Sequence, residues 1–172
     1  TTTYRGNTKT DETARFNFYF LRQGVNVPNR IEPNTQKRAT QVGFMSVDAA
    51  FPLVTFQENK LTQAEMAIRA GSFTNALAYL NEHRAFLNTG GGYINSVTAT
   101  NFTYKYLPYE EKDFDAGGIE NVDKIAKNDA LLREILEERY VTFYCQTIGW
   151  NDERRNRTSA VGIKITPNAG TR

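Results

Sequence analysis

A chain of 172 residues is one domain's worth of sequence, able to bury roughly two thirds of its unfolded surface. With 21 basic and 19 acidic residues the net charge is +2, which gives no electrostatic reason to expect nucleic acid or an anionic membrane as partner. The single cysteine, Cys145, excludes an internal disulfide and a multi-thiolate zinc site, and on an apolar helix face it reads as a small core residue.

The first third of the chain has little helical period. Arg15–Leu21 places Phe16, Phe18 and Phe20 on one side of an extended strand. Gly24, Pro28 and Pro33 then break regular structure, and Pro52 interrupts the apolar stretch Val47–Phe56, which reads as extended segments with a turn. From Leu61 to Leu87, Ala64, Ile68, Ala76, Leu77, Leu80 and Leu87 recur at helical spacing. Gly71-Ser72 divides this run, with Ser72 as a candidate cap, so residues 58–87 form a helical hairpin. Ala64, Gly71 and Ala76 have the spacing of a tetratricopeptide unit, in which small residues let two helices approach closely.

Gly90–Gly92 lacks the preceding strand and following Lys-Ser/Thr of a phosphate loop and reads as the stop of the second hairpin helix. Asn88–Lys127 is a long irregular connection rich in tyrosine. Its acidic segment, with Glu110, Glu111, Asp113 and Asp115, lacks the oxygen ligands of a calcium loop at the later positions, Gly117 and Lys124. Nor do adjacent polar acids offer the apolar burial that would raise one carboxyl for glycosidase chemistry. His83, the only histidine, sits between Glu82 and Arg84 and reads as exposed on its helix. Residues 128–147 form a third helix. Leu131, Leu132, Ile135, Leu136, Tyr140 and Phe143 line one face, Arg133, Glu134, Glu137 and Glu138 fill much of the rest, and Asn128 or Asp129 caps the start. Gly149-Trp150 and a charged run follow, then a polar tail with an extended run Val161–Ile165.

Two stretches resemble the SusD/RagB family of surface nutrient-binding lipoproteins of Bacteroidetes. AEMAIRAGSFTNALAYLNEHR is similar to that family's A-E-x-x-x-R-x-G-x-x-x-x-A-x-x-x-x-N-x-x-R, with Ala64, Glu65, Arg69, Gly71, Ala76, Asn81 and Arg84 at the fixed positions. LLREILEERYVTFYCQTIGWNDERR is similar to its I-x-x-E-R helix followed by a glycine and a Trp-x-Asp-x-x-Arg element. The similarity runs from about Phe51 to Arg155, and Thr142-Phe143, Cys145 and Glu153 depart from common family residues.

The resemblance implies a mostly α fold: a tetratricopeptide-like hairpin plus a third helix with long loops, in an α-α superhelix. It implies non-catalytic binding of a glycan or other nutrient at the outer-membrane surface, without cofactor or metal. It implies delivery to a TonB-dependent outer-membrane transporter, with membrane attachment only through a lipid anchor on a part of the protein not in this sequence. The chain starts at Thr1 with no initiator methionine or signal peptide, and no apolar run spans a bilayer, so it reads as the later part of a longer protein in one domain, 1–172. Glu65, Arg69, Arg84, Glu138, Arg139, Asp152 and Arg155 read as scaffold, holding helices and loop backbones through charge-assisted hydrogen bonds. Trp150 reads as core, and the loop tyrosines Tyr4, Tyr104, Tyr106 and Tyr109 are the candidate sugar platform. A helical-repeat module that binds protein, and a glycoside hydrolase using the acidic loop, are the alternatives. One hairpin and one further helix fall short of the about three units a helical repeat needs, so apolar surface should remain for a partner to cover.

Overall fold

The computed structural model describes residues 6–13, 15, 53–91, 105–144 and 146–162. Apart from Arg15, the expected strand Arg15–Leu21 lies outside the described residues, as do the apolar segment before Leu53, Tyr4, Tyr104, Cys145 and the run Ile163–Ile165. The fold is mostly α, as the sequence predicts. The helices described in full are α1 (Phe56–Arg69), α2 (Phe73–Asn88), α3 (Lys127–Thr142) and α4 (Thr147–Asn156), with a 3-10 turn at Glu111–Phe114. A short antiparallel pair joins β1 (Thr10–Asp11) to β2 (Lys105–Tyr106), in register Thr10 with Tyr106 and Asp11 with Lys105. No helix among the described residues is long and apolar enough to cross a membrane.

Close contacts divide the chain into two compact units. One is Thr1–Thr55 with Asn81–Tyr109; the other is Phe56–Leu80 with Glu110–Arg172. In the second unit α1 packs most closely on α3, and α3 also meets α4 and the 3-10 turn. The core there includes Leu61, Ala64, Ile68, Ala130, Leu131 and Ile135, all almost fully buried. Helical spacing brings these residues onto one face of each helix, and burying such a side chain is worth about 1.5–3 kcal/mol for the larger ones.

The turn between α1 and α2 falls at Gly71-Ser72, as the sequence predicts, but for a different reason. Gly71 has φ +83°, its N–H donates to the Ile68 carbonyl, and the Ser72 N–H donates to the Ala67 carbonyl. This pair of bonds closes α1 in a Schellman motif, which requires a left-handed residue. A side chain at Gly71 would meet nothing within 4 Å, so this glycine serves backbone conformation and not the approach of two helices. Gly90, at φ +77°, closes α2 in a similar way, with its N–H on the Leu87 carbonyl.

The third helix is shorter than periodicity suggests. It starts at Lys127 after Ala126, without a side-chain cap, which places Asn128 and Asp129 inside the first turn. There the charge of Asp129 still favours the positive end of the helix. The helix stops at Thr142, and the chain re-enters helix at Thr147. Apolar spacing continues to Phe143, but the helix does not: the Phe143 carbonyl accepts from the Gln146 N–H in a turn that precedes the next helix. Gly149 is needed here because a Cβ would lie 2.7 Å from that same Phe143 carbonyl oxygen. The residues Trp150, Asp152 and Arg155, expected beyond the last helix, therefore sit on α4.

The two glycines should respond differently to alanine. Gly71→Ala strains only φ and should cost about 1–2 kcal/mol. Gly149→Ala forces backbone apart and should cost about 1–3 kcal/mol. A shift in α4 should accompany only the second, read as changed amide resonances for Thr147–Asn156 by NMR alongside denaturant melts of both variants.

Candidate functional site

In the second unit, one carboxylate gathers three guanidinium groups. Glu65 lies four residues after Leu61 and three before Ile68, at a position on the buried stripe of α1, and it is 4% exposed. A carboxylate at such a position must be paired. Arg155 of α4 grips it with both terminal nitrogens, Nη1 to Oε1 and Nη2 to Oε2, the latter at 2.7 Å. Arg69, one turn on along α1, donates Nε to Oε1 at 2.8 Å. Arg139 of α3 lies with Nε 3.6 Å from Oε2.

A second carboxylate completes the cluster. Asp152 accepts from Arg139 at 2.7 and 3.1 Å and from Arg155 at 2.9 Å. Arg139 also donates to the Thr62 hydroxyl at 2.9 Å, and Arg69 to the Asn156 amide oxygen at 2.7 Å. The Asn156 amide in turn donates to the Asp152 carbonyl. Helices α1, α3 and α4 are thereby tied at one point by planar, two-pronged contacts that lysine could not reproduce. The seven residues read as scaffold are placed accordingly. Five form or adjoin this knot, Glu138 is buried on α3, and Arg84 plays the same part in the other unit.

Burial pushes the Glu65 carboxyl up, but the hydrogen bonds from Arg155 and Arg69 and the charges of Arg155 and Arg139 outweigh it, leaving the pKa below the ordinary glutamate value. The hydrogen bond to Glu65 raises the Arg155 pKa further above its already high range. Thr62, Glu65, Met66, Arg69, Arg139, Asp152 and Arg155 line a groove of about 270 Å³.

In the first unit the centre is Arg84, fully buried on α2. Its Nε donates to the Leu107 carbonyl at 2.8 Å, and its Nη2 donates to the Thr10 hydroxyl at 2.7 Å and the Lys9 carbonyl at 3.2 Å. The guanidinium stacks 3.7 Å above the Tyr109 ring centre. Asn81, three residues earlier, pairs with the Tyr109 backbone through its amide, accepting at 2.8 Å and donating at 2.9 Å. Asn88 accepts from the Tyr106 N–H at 3.0 Å. The exposed histidine expected at position 83 is instead buried. The register explains it: Ala76, Leu80, His83, Arg84 and Leu87 form one buried stripe, and two polar residues stand in it.

This arrangement corrects the expected sugar platform. Tyr106 and Tyr109 are 1% and 3% exposed. One face of Tyr109 is covered by Arg84, and Arg15 lies 5.1 Å from the Tyr106 ring centre, so neither ring is presented to a ligand. Both sit where backbone pairing to β1 and clamping by Asn81 and Asn88 draw the connection inward. Tyr4 and Tyr104 lie outside the described residues. Trp150, expected in the core, is 62% exposed on α4, because Gly149, Asp152, Arg155 and Asn156 take the positions that face α1 and α3. Phe56, at 45%, and Met66, at 67%, are also exposed.

The acidic loop is ordered by its own bonds. Asp113 is buried, accepts from the Glu110 N–H at 2.7 Å, and forms a reciprocal capping box with Glu110. Glu111 and Asp115 pair with Lys127 at 2.6 and 2.8 Å. Asn121, fully buried and part of no sequence motif, holds the loop by donating to the Phe114 and Ile125 carbonyls and accepting from the Ile125 N–H, each at 2.9 Å. Arg133 fixes its far end through both Asp123 oxygens and the Glu120 carbonyl. The carboxylates are thus engaged with backbone amides and cations of their own unit.

Replacing Glu65 by glutamine should cost about 2–3 kcal/mol at neutral pH, below the range for fully buried pairs because Arg69 and Arg155 reach solvent. The folded-state pKa of Glu65 is depressed, so its contribution is full above the ordinary value of 4.5 and is lost as pH falls through the lower, folded value. Urea melts followed by circular dichroism should therefore show the wild-type and Glu65→Gln stabilities converging below pH 4.5; a gap that stays constant to acid pH would contradict the assignment.

Compared with known proteins, the chain matches no family model, no curated protein and no solved structure.

Proposed function

We propose that this chain is part of a non-catalytic surface protein that binds an oligosaccharide or other nutrient and passes it to a TonB-dependent outer-membrane transporter. The proposal includes a tetratricopeptide-like superhelix in the intact protein, anchored by lipid at the outer membrane. It starts from the resemblance to the SusD/RagB family in the two stretches Ala64–Arg84 and Leu131–Arg155. The observation that carries it is the use made of those residues. Glu65, Asn81, Arg84, Arg139 and Asp152 spend their polar groups bracing their own units, as do the inner edges of Arg69 and Arg155. Those contacts place the motif in the framework and leave recognition to groups at the surface.

Among those groups Trp150 is the best suited to a sugar. Its ring is flat, rigid and apolar, and it stands 62% exposed on a helix held firmly from behind. Stacking against the C–H face of a sugar needs such a ring and little else. The buried Tyr106 and Tyr109 are replaced in this role by Trp150. Exposed Met66 and Val122 in the second unit supply apolar surface for a protein partner, which the transporter reading requires and which a protein-binding repeat without sugar would also use.

Affinity electrophoresis of the 172-residue chain through gels containing individual polysaccharides, neutral and acidic, separates the two readings. Retardation by one glycan should weaken about tenfold in Trp150→Ala, with the circular dichroism spectrum unchanged. Retardation by no glycan across a broad panel would leave the protein-binding module as the better account.

A further inference from the structure

The groove in the second unit has a charge surplus, and the surplus is on its open side. Its lining holds three guanidinium groups, from Arg69, Arg139 and Arg155, against two carboxylates, from Glu65 and Asp152. The carboxylate side chains are 6% and 12% exposed and Arg139 is 7% exposed, whereas Arg69 and Arg155 are 42% and 48% exposed. The acids are consumed within; one net positive charge faces out. Two donors also remain. Arg69 uses Nε and Nη2, and Arg155 uses Nη1 and Nη2, so Arg69 Nη1 and Arg155 Nε make no protein hydrogen bond among the described residues. Both guanidinium groups are held in place by Glu65, so little ordering entropy is lost when an anion meets them. Met66, 67% exposed, adds an apolar wall to the same groove.

We propose that this groove binds the carboxylate of an acidic sugar, such as a uronic acid unit, through the outward N–H groups of Arg69 and Arg155, with the sugar ring lying against Met66. The proposal rests on the glycan-binding reading above and adds the ligand's charge and the place where it is read. A planar carboxylate suits planar guanidinium donors. At about 270 Å³ the groove is slightly smaller than the roughly 300 Å³ at which drug-sized sites begin, so it accepts one sugar unit and leaves the rest of a chain outside. The buried acids cannot repel such a ligand in net terms, because the arginines already outnumber them.

The test compares retardation of the full 172-residue chain by polygalacturonate and by its fully methyl-esterified form, which keeps the backbone and removes the charge. The expected result is retardation by the acid form alone, weakening as salt is raised. Met66→Glu places a negative charge at the groove's edge without disturbing a buried residue, and should weaken binding about fivefold. Met66→Gln, uncharged, should bind more strongly than Met66→Glu. Equal retardation by acid and ester forms, or no difference between the Met66 variants, would overturn the proposal while leaving glycan binding in place. Retardation by neutral glycans only would do the same. Equal retardation by polyglutamate and polygalacturonate would overturn the sugar assignment in favour of acidic peptide. Failure of every glycan, acidic or neutral, would remove both this proposal and the function it rests on.

Discussion

One carboxylate, that of Glu65, holds the second unit's helices in their arrangement. It sits on the core side of α1, where an unpaired charge would be costly, so folding must deliver guanidinium groups to it. Arg155 arrives from 90 residues away with a two-pronged grip, and Arg139 and Asp152 extend the contact to α3. Hydrophobic faces can slide along one another at modest cost. A bidentate ion pair with fixed geometry cannot, and it sets the relative position of α1, α3 and α4.

The first unit uses the same device with different partners. Arg84 is also on a buried stripe, but no carboxylate among the described residues meets it within ion-pair distance. Carbonyl oxygens of Lys9 and Leu107, the Thr10 hydroxyl and the Tyr109 ring share its charge. Asn81 and Asn88 add amide contacts to backbone groups of the same segment. A connection that composition marks as irregular is thereby pinned at Tyr106, Leu107 and Tyr109. Order in this segment comes from polar side chains of a helix, with only two residues per strand in the accompanying sheet.

This bracing separates framework from surface in the proposed function. Residues whose polar groups are saturated internally have little left for a ligand. What remains outward is an exposed indole on α4 and two arginines whose inner edges are fixed and whose outer edges are open. A rigid backing of this kind lowers the entropy cost of binding at its surface. Sugar stacking at Trp150 and carboxylate binding at Arg69 and Arg155 would each draw on that rigidity.

The sequence by itself determined two helices, the start of a third and most of the charged residues that brace them. Apolar spacing placed α1, α2 and the start of α3 within a few residues, Gly71-Ser72 marked the turn, and the acids and arginines of the two motifs were legible as scaffold. These are properties of local period and of side-chain chemistry, which a linear sequence displays. Tertiary structure alone decided where α3 stops, that Trp150 points outward, and that His83, Tyr106 and Tyr109 are buried. The burial of His83 and Arg84 did leave a signal, since both fall on the stripe of Ala76, Leu80 and Leu87; polarity argued against the stripe, and the stripe prevailed. Trp150 left none. Its exposure follows from Glu65 drawing Arg155 inward and from Gly149 lying against the Phe143 carbonyl, which turns the next residue on α4 away. Which side of a helix is inside depends on partners distant in the chain, and spacing within the helix does not contain them.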